Sequence, residues 1–280
     1  MFLISSCHYL IGVYIMKVLV CEDSVIGIYS AIYEAWAGKY NRNELEIKIQ
    51  RKFNLEFFKE YITVAASGDN AAKVINTVRK QFGAKFMYNV TMAMWSYEED
   101  RADNVYKTIK YGIENKIKGN FLSYLQLPYI QRINDLYANV YYEIDHFYGF
   151  LRFSELDKGA LFARIRPKNY CLEALAEHFE DRLPSENWII NDVSRNIAAV
   201  HVKYKKWFLI KDFTRDGSKD SYRDNYEDND LDLKFSDEEE KFRSLWKHFF
   251  DSVAIEERNN KKLQKNNLPD RFREFMTEFK

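Results

Sequence analysis

The spacing of apolar residues changes period near His146, and that change divides the chain. Upstream, Val25, Ile28, Tyr29, Ile32 and Trp36 recur as one helical face, with Asp23 or Ser24 placed to cap it. Val74, Ile75, Val78 and Phe82 repeat the pattern after Gly68-Asp69-Asn70, and helical spacing continues over 84–96, 101–115 and 127–142. In the last of these, Ile130, Ile133, Leu136, Tyr137, Val140 and Tyr141 form a stripe that reads as core. Short strands are expected at 17–22, 45–51 and 60–66.

Downstream the apolar runs shorten and fill with β-branched and aromatic residues. Strands are expected at 149–154, 160–166, 187–193, 198–204 and 206–212, with a helix over 169–181 whose inward face is Leu172, Leu175, Ala176 and Phe179. Asp157-Lys158-Gly159 is a tight turn between the first two. Several connections are short, which favours antiparallel pairing. Ser236 and Glu239 have capping-box spacing at a further helix, with Phe242, Leu245, Trp246, Phe249, Phe250 and Val253 as its apolar face.

These patterns predict an α+β protein: a helix-rich N-terminal part over 16–145, then a mostly antiparallel sheet with packed helices and a helical C-terminus over 146–280. Residues 1–15 read as an extension or a misassigned start, because Met16 directly precedes a clean strand; they lack a basic n-region and a small-residue cleavage site. Forty-six per cent hydrophobic residues over 280 positions suffice for a large core, with 21 Phe and 20 Tyr making it aromatic.

Formal net charge is zero, which alone predicts neither nucleic-acid nor membrane affinity. The charge is uneven: 212–240 holds 12 acids and 4 bases, leaving the rest mildly basic, and an acidic surface loop is expected at 214–235. The cysteines, Cys7, Cys21 and Cys171, include no C-x-x-C pair, which argues against a disulfide framework and a protein-bound zinc or iron–sulfur site. A reducing cytoplasm fits that usage. The strand–turn–helix at 17–36 has no Gly-rich phosphate loop.

The stretch 146–195 sets charged residues among apolar ones, as a buried network or a binding face would. Arg152 and Arg164 on neighbouring strands could clamp a phosphate through bidentate hydrogen bonds, or could pair with Glu155 and Asp192. His178 and Arg182 are one helical turn apart; with Asn187, Trp188 and Asp192 they could wall a pocket in which Trp188 stacks on a base, against the plainer reading of a core indole. His146, His178 and Asp192 are the candidate catalytic groups, and Arg195 adds a further cation. The bases Arg258, Lys261, Lys262, Lys265, Arg271 and Arg273, with Asn259, Asn260 and Gln264, form a candidate polyanion surface or a solvated helix face.

Three blocks, VCEDSVIGIYSAIYEAW, FYGFLRFSEL…FARIRP…LAEHFEDRLPSENWIINDVSR and LWKHFFDSVAIEERNN…LQ…LPDRFREFMTEF, resemble the DUF4130 family of bacterial proteins assigned to DNA repair or DNA metabolism. The resemblance covers 16–279 apart from the acidic loop. It implies a radical SAM protein as the usual gene partner, and other members carry a uracil-DNA glycosylase-like domain. The iron–sulfur cluster and SAM would then sit in the partner, since this chain lacks the cysteine triplet. The resemblance thus implies association with DNA repair; joined to the residue reading above, the expected role is to bind nucleic acid through Arg152, Arg164, Arg182, Trp188, Arg195, Arg258, Asn260, Lys262 and Gln264, or to present it to that partner. A pocket enzyme and a protein–protein adaptor are the alternatives.

Overall fold

The computed structural model describes residues 16–40, 44–50, 56–213, 234–253 and 260–279. The chain divides into two compact units, Met1–Tyr141 and Tyr142–Lys280. The 1–15 extension and nearly all of the acidic loop lie outside the described residues.

In the first unit, β1 (Met16–Cys21) is central in a three-stranded parallel sheet, between β2 (Leu45–Ile49) and β3 (Lys59–Val64). A strand with neighbours on both edges and helices over it needs a continuous apolar run, and Val18–Cys21 are all buried. α1 (Val25–Ala37) starts at Ser24, whose Oγ accepts from the Gly27 amide at 2.9 Å. α2 (Gly68–Phe82) packs on α1, and α3 (Ala84–Met94) and α4 (Arg101–Glu114) follow. Phe82, Phe86 and Phe121 meet at 4.8–5.1 Å between ring centroids. Ile130, Ile133, Leu136 and Val140 of α5 (Pro128–Phe150) are buried as the stripe requires, whereas Tyr141 is exposed.

α5 runs eight residues past the expected end and takes up Gly149 and Phe150, the first two residues of the strand expected at 149–154. Ile144 and Phe147 continue the helical stripe from Val140 and are buried, so the apolar run extends the helix. What remains of that strand is β4 (Ser154–Glu155).

The second unit holds a five-stranded sheet of order β4-β5-β6-β7-β8: β5 is Leu161–Ile165, β6 Trp188–Asp192, β7 Ile197–His201 and β8 Phe208–Lys211. Three of the four pairings are antiparallel. β5 and β6 are parallel, because the connection between them carries α6 (Leu172–Arg182) and is long enough to cross over. Leu172, Leu175, Ala176 and Phe179 of α6 are buried. α7 (Asp237–Ser252), the seven-residue α8 (Lys261–Asn267) and 3-10 turns at Asp270–Phe272 and Thr277–Phe279 complete the unit.

Among the described residues no helix is long and apolar enough to cross a membrane.

Candidate functional site

A polar cluster lies at the carboxyl ends of the parallel pair β5 and β6. Glu143, on the buried stripe of α5, is 2 % exposed. Its Oε1 accepts from the Lys168 amide at 3.0 Å and its Oε2 from the Asn169 amide at 2.8 Å. Arg271 Nη1 lies 3.2 Å from Oε1. A carboxylate that replaces its lost hydration with two amides and a guanidinium is satisfied in the interior.

The same loop is gripped from the other side. Arg195 donates to the carbonyls of Pro167 at 3.4 Å and Lys168 at 2.7 Å, and to Asp192 Oδ2 at 3.0 Å. The Ser194 hydroxyl donates to the Pro167 carbonyl at 3.2 Å, and the Ser194 amide donates to Asp192 Oδ1 at 3.0 Å. Segment 167–169 is thus held by its amides at Glu143 and by its carbonyls at Ser194 and Arg195.

Burial pushes the Asp192 carboxyl above its ordinary value, with Arg195 partly opposing. Burial, then the negative charge of Glu143, pushes the Cys171 thiol well up, so Cys171 is held as a neutral thiol and not as a nucleophile. The Tyr170 phenol donates to Glu173 at 3.0 Å and is raised by burial first. This cluster is a clamp that fixes the β5–α6 loop.

The candidate catalytic groups fall into three separate settings. His146 stacks on Phe272, with centroids 5.2 Å apart and planes at 7°. His178 stacks on Tyr148 at 4.1 Å, and burial, then Arg182, lowers its pKa. Asp192 belongs to the clamp. Asp192 and Trp188 lie at the two ends of β6, about 13 Å apart by strand rise.

Trp188 is 0 % exposed and stacks on His201 at 4.9 Å, which leaves no face for a base. Arg152 precedes β4, outside any strand, and donates to the Gly149 carbonyl at 2.9 Å. Arg164 lies over the Phe162 ring at 5.6 Å. Arg182 is exposed in the last turn of α6.

Asn260 caps α8, its Oδ1 accepting from the Leu263 amide at 3.0 Å. Lys262 and Gln264 are exposed on α8. Arg258 lies outside the described residues.

Sequence reasoning missed Glu143 and Asn169. The signal was a lone carboxylate on a helical stripe between Val140 and Phe147; such a group is either paired or misplaced. Among the described residues no group of three or more His, Cys, Asp and Glu could hold a metal ion. The first unit has a cavity of about 390 Å³ whose lining includes Glu34, Tyr40, Thr63 and Asn70, none of them among the expected site residues.

No curated protein and no solved structure matches this chain. A family model, that of the domain of unknown function DUF4130, matches residues 99–278. The match opens just before α4 and runs through the clamp to the last 3-10 turn, so the first of the three resembling blocks, 20–36, falls before it. More than half of the sequence is covered, and the chain belongs to the DUF4130 family.

Proposed function

We propose that this chain is an accessory protein of DNA metabolism that touches nucleic acid along the phosphate backbone and works beside a radical SAM protein. The supporting observation is α8. All seven of its residues face solvent; Lys261 and Lys262 stand together in its first turn, and Lys265, one turn on, pairs with Asp270 at 2.7 Å. Such a helix neutralises phosphates without reading base sequence. Arg195 is committed to backbone carbonyls and Asp192, which leaves α8 as the better contact. The radical SAM partner and the DNA setting rest on the resemblance; the iron–sulfur cluster and SAM would belong to the partner.

The test is a fluorescence-anisotropy titration with single- and double-stranded oligonucleotides at two salt concentrations. Affinity is expected to fall with salt, by a log–log slope of about −0.7 per phosphate contacted on single strands. Lys261→Glu with Lys262→Glu should weaken binding equally across sequences. No binding at low salt sinks the direct-contact reading.

A second reading, a protein–protein adaptor, is favoured by the apolar face of α7, which is exposed. Co-purification of the radical SAM protein by a chain that binds no DNA would support it.

A further inference from the structure

α7 touches its own unit along a narrow seam. Arg243 donates to Ser154 Oγ at 2.6 Å and lies over the Phe235 ring at 3.9 Å. Glu239 accepts from the Glu155 amide at 3.3 Å, and Phe250 meets Phe279 edge-on at 5.9 Å. Glu239, Arg243 and Phe250 follow one another at helical spacing and make one line along the helix.

The adjoining line is Phe242, Leu245, Trp246, Phe249 and Val253, and these side chains are between 44 and 72 % exposed; Trp246 is the most covered, its Nε1 donating to Glu278 Oε2 at 3.4 Å. Five groups of this size expose on the order of 500 Å² in one stripe, at the upper end of what a monomer's largest patch shows. Isolated exposed apolar residues need no explanation; a contiguous helical stripe does.

We propose that a second copy of this chain covers the stripe, with α7 packed antiparallel against its symmetry mate. Two observations select that occupant. The spacing of Phe242, Leu245, Trp246 and Phe249 reads the same in both directions, aromatic rings outermost. A two-fold axis between Leu245 and Trp246 therefore sets Phe242 against Phe249 of the other copy and Leu245 against Trp246, as an isologous interface demands. Burying the stripe on both copies removes on the order of 1,000 Å², the threshold for a specific interface.

Charge then fixes the direction. The first turn of α7 holds Asp237, Glu238, Glu239 and Glu240. A parallel pair would set two such turns side by side, whereas an antiparallel pair separates them by the helix length, about 24 Å, well beyond a Debye length of about 8 Å. Zero net charge adds no overall repulsion between copies.

The experiment is sedimentation of the full chain over a concentration series, beside Leu245→Asp. The wild type is expected to move from 33.5 kDa towards twice that mass as concentration rises. Leu245→Asp should stay at the monomer mass at every concentration with an unchanged circular-dichroism spectrum, because Leu245 is exposed. A spin label at Glu238 then reads direction: about 20–25 Å between labels for the antiparallel pair, and about 10 Å for a parallel one.

A wild type that stays monomeric overturns the proposal and leaves the stripe to a different protein. A Leu245→Asp variant that still dimerises also overturns it, by placing the interface elsewhere, and a short label distance overturns the antiparallel geometry. If Leu245→Asp fails to fold, Phe249→Ser carries the same comparison. DNA binding through α8 can fail or succeed without changing any of these readouts.

Discussion

Glu143 carries more contacts than its place in an apolar helix would lead one to expect. It organises a loop through two amides and holds Arg271 from the C-terminal segment. Glu143→Gln keeps the shape but turns an NH2 group towards a backbone donor and drops the ion pair. The expected cost is about 1–3 kcal/mol of unfolding stability by denaturant titration. Loss of much less would mean that Ser194 and Arg195 suffice to hold the loop.

Asp192 gives a pH dependence of unusual sign. Burial raises its folded pKa above 3.8, so the native state binds its proton more tightly than the unfolded chain does. Its contribution is complete below pH 3.8 and is lost as pH rises through the folded value, opposite to a carboxylate held low by a cation. Asp192→Asn should therefore flatten the fall in stability from pH 4 upward, read from denaturation midpoints across pH 3–7. An unchanged slope in the variant would assign that dependence to other groups.

Among elements, α7 shows where local rules hold and where they stop. Ser236 Oγ accepts from the Glu239 amide at 3.1 Å, as the capping-box spacing predicts. The return bond is diverted: Glu239 binds the Glu155 amide and Arg243, and the Ser236 amide donates to the Glu155 carbonyl. Ser236→Ala should cost about 1 kcal/mol, measured by thermal or chemical unfolding. The i, i+3 spacing was legible because it is set within one turn; the swap depends on β4 arriving from 80 residues away. α5 shows the same limit. Its apolar run past Tyr142 fits a helix or a strand, and a longer stripe settles the matter by burying Glu143, Ile144 and Phe147.

For the whole molecule, charge and thiols give the broad expectations. With pI near 7.0, solubility should be lowest around neutral pH and rise on either side, as polyethylene glycol precipitation would show. Cys21 and Cys171 are buried, and burial pushes the Cys21 thiol up to about 12. Neither should alkylate in the native state at pH 8, while both should after unfolding, by peptide mass mapping; native labelling of Cys171 would mean the clamp opens.

The sequence by itself determined the α+β class, the apolar faces of α1, α2 and α6, a cap at Asp23 or Ser24 and another at Ser236, and the strands β1, β2, β5, β6 and β7, because these follow from periodicity and bonds within a few residues. The tertiary structure decided what each charged residue does. Whether Arg195 faces a phosphate or a carbonyl, whether Trp188 offers a face or fills the core, and whether the stripe on α7 is buried or bare depend on which distant segments arrive beside them. Burial and ion pairing are properties of three-dimensional neighbours, and local spacing does not encode them.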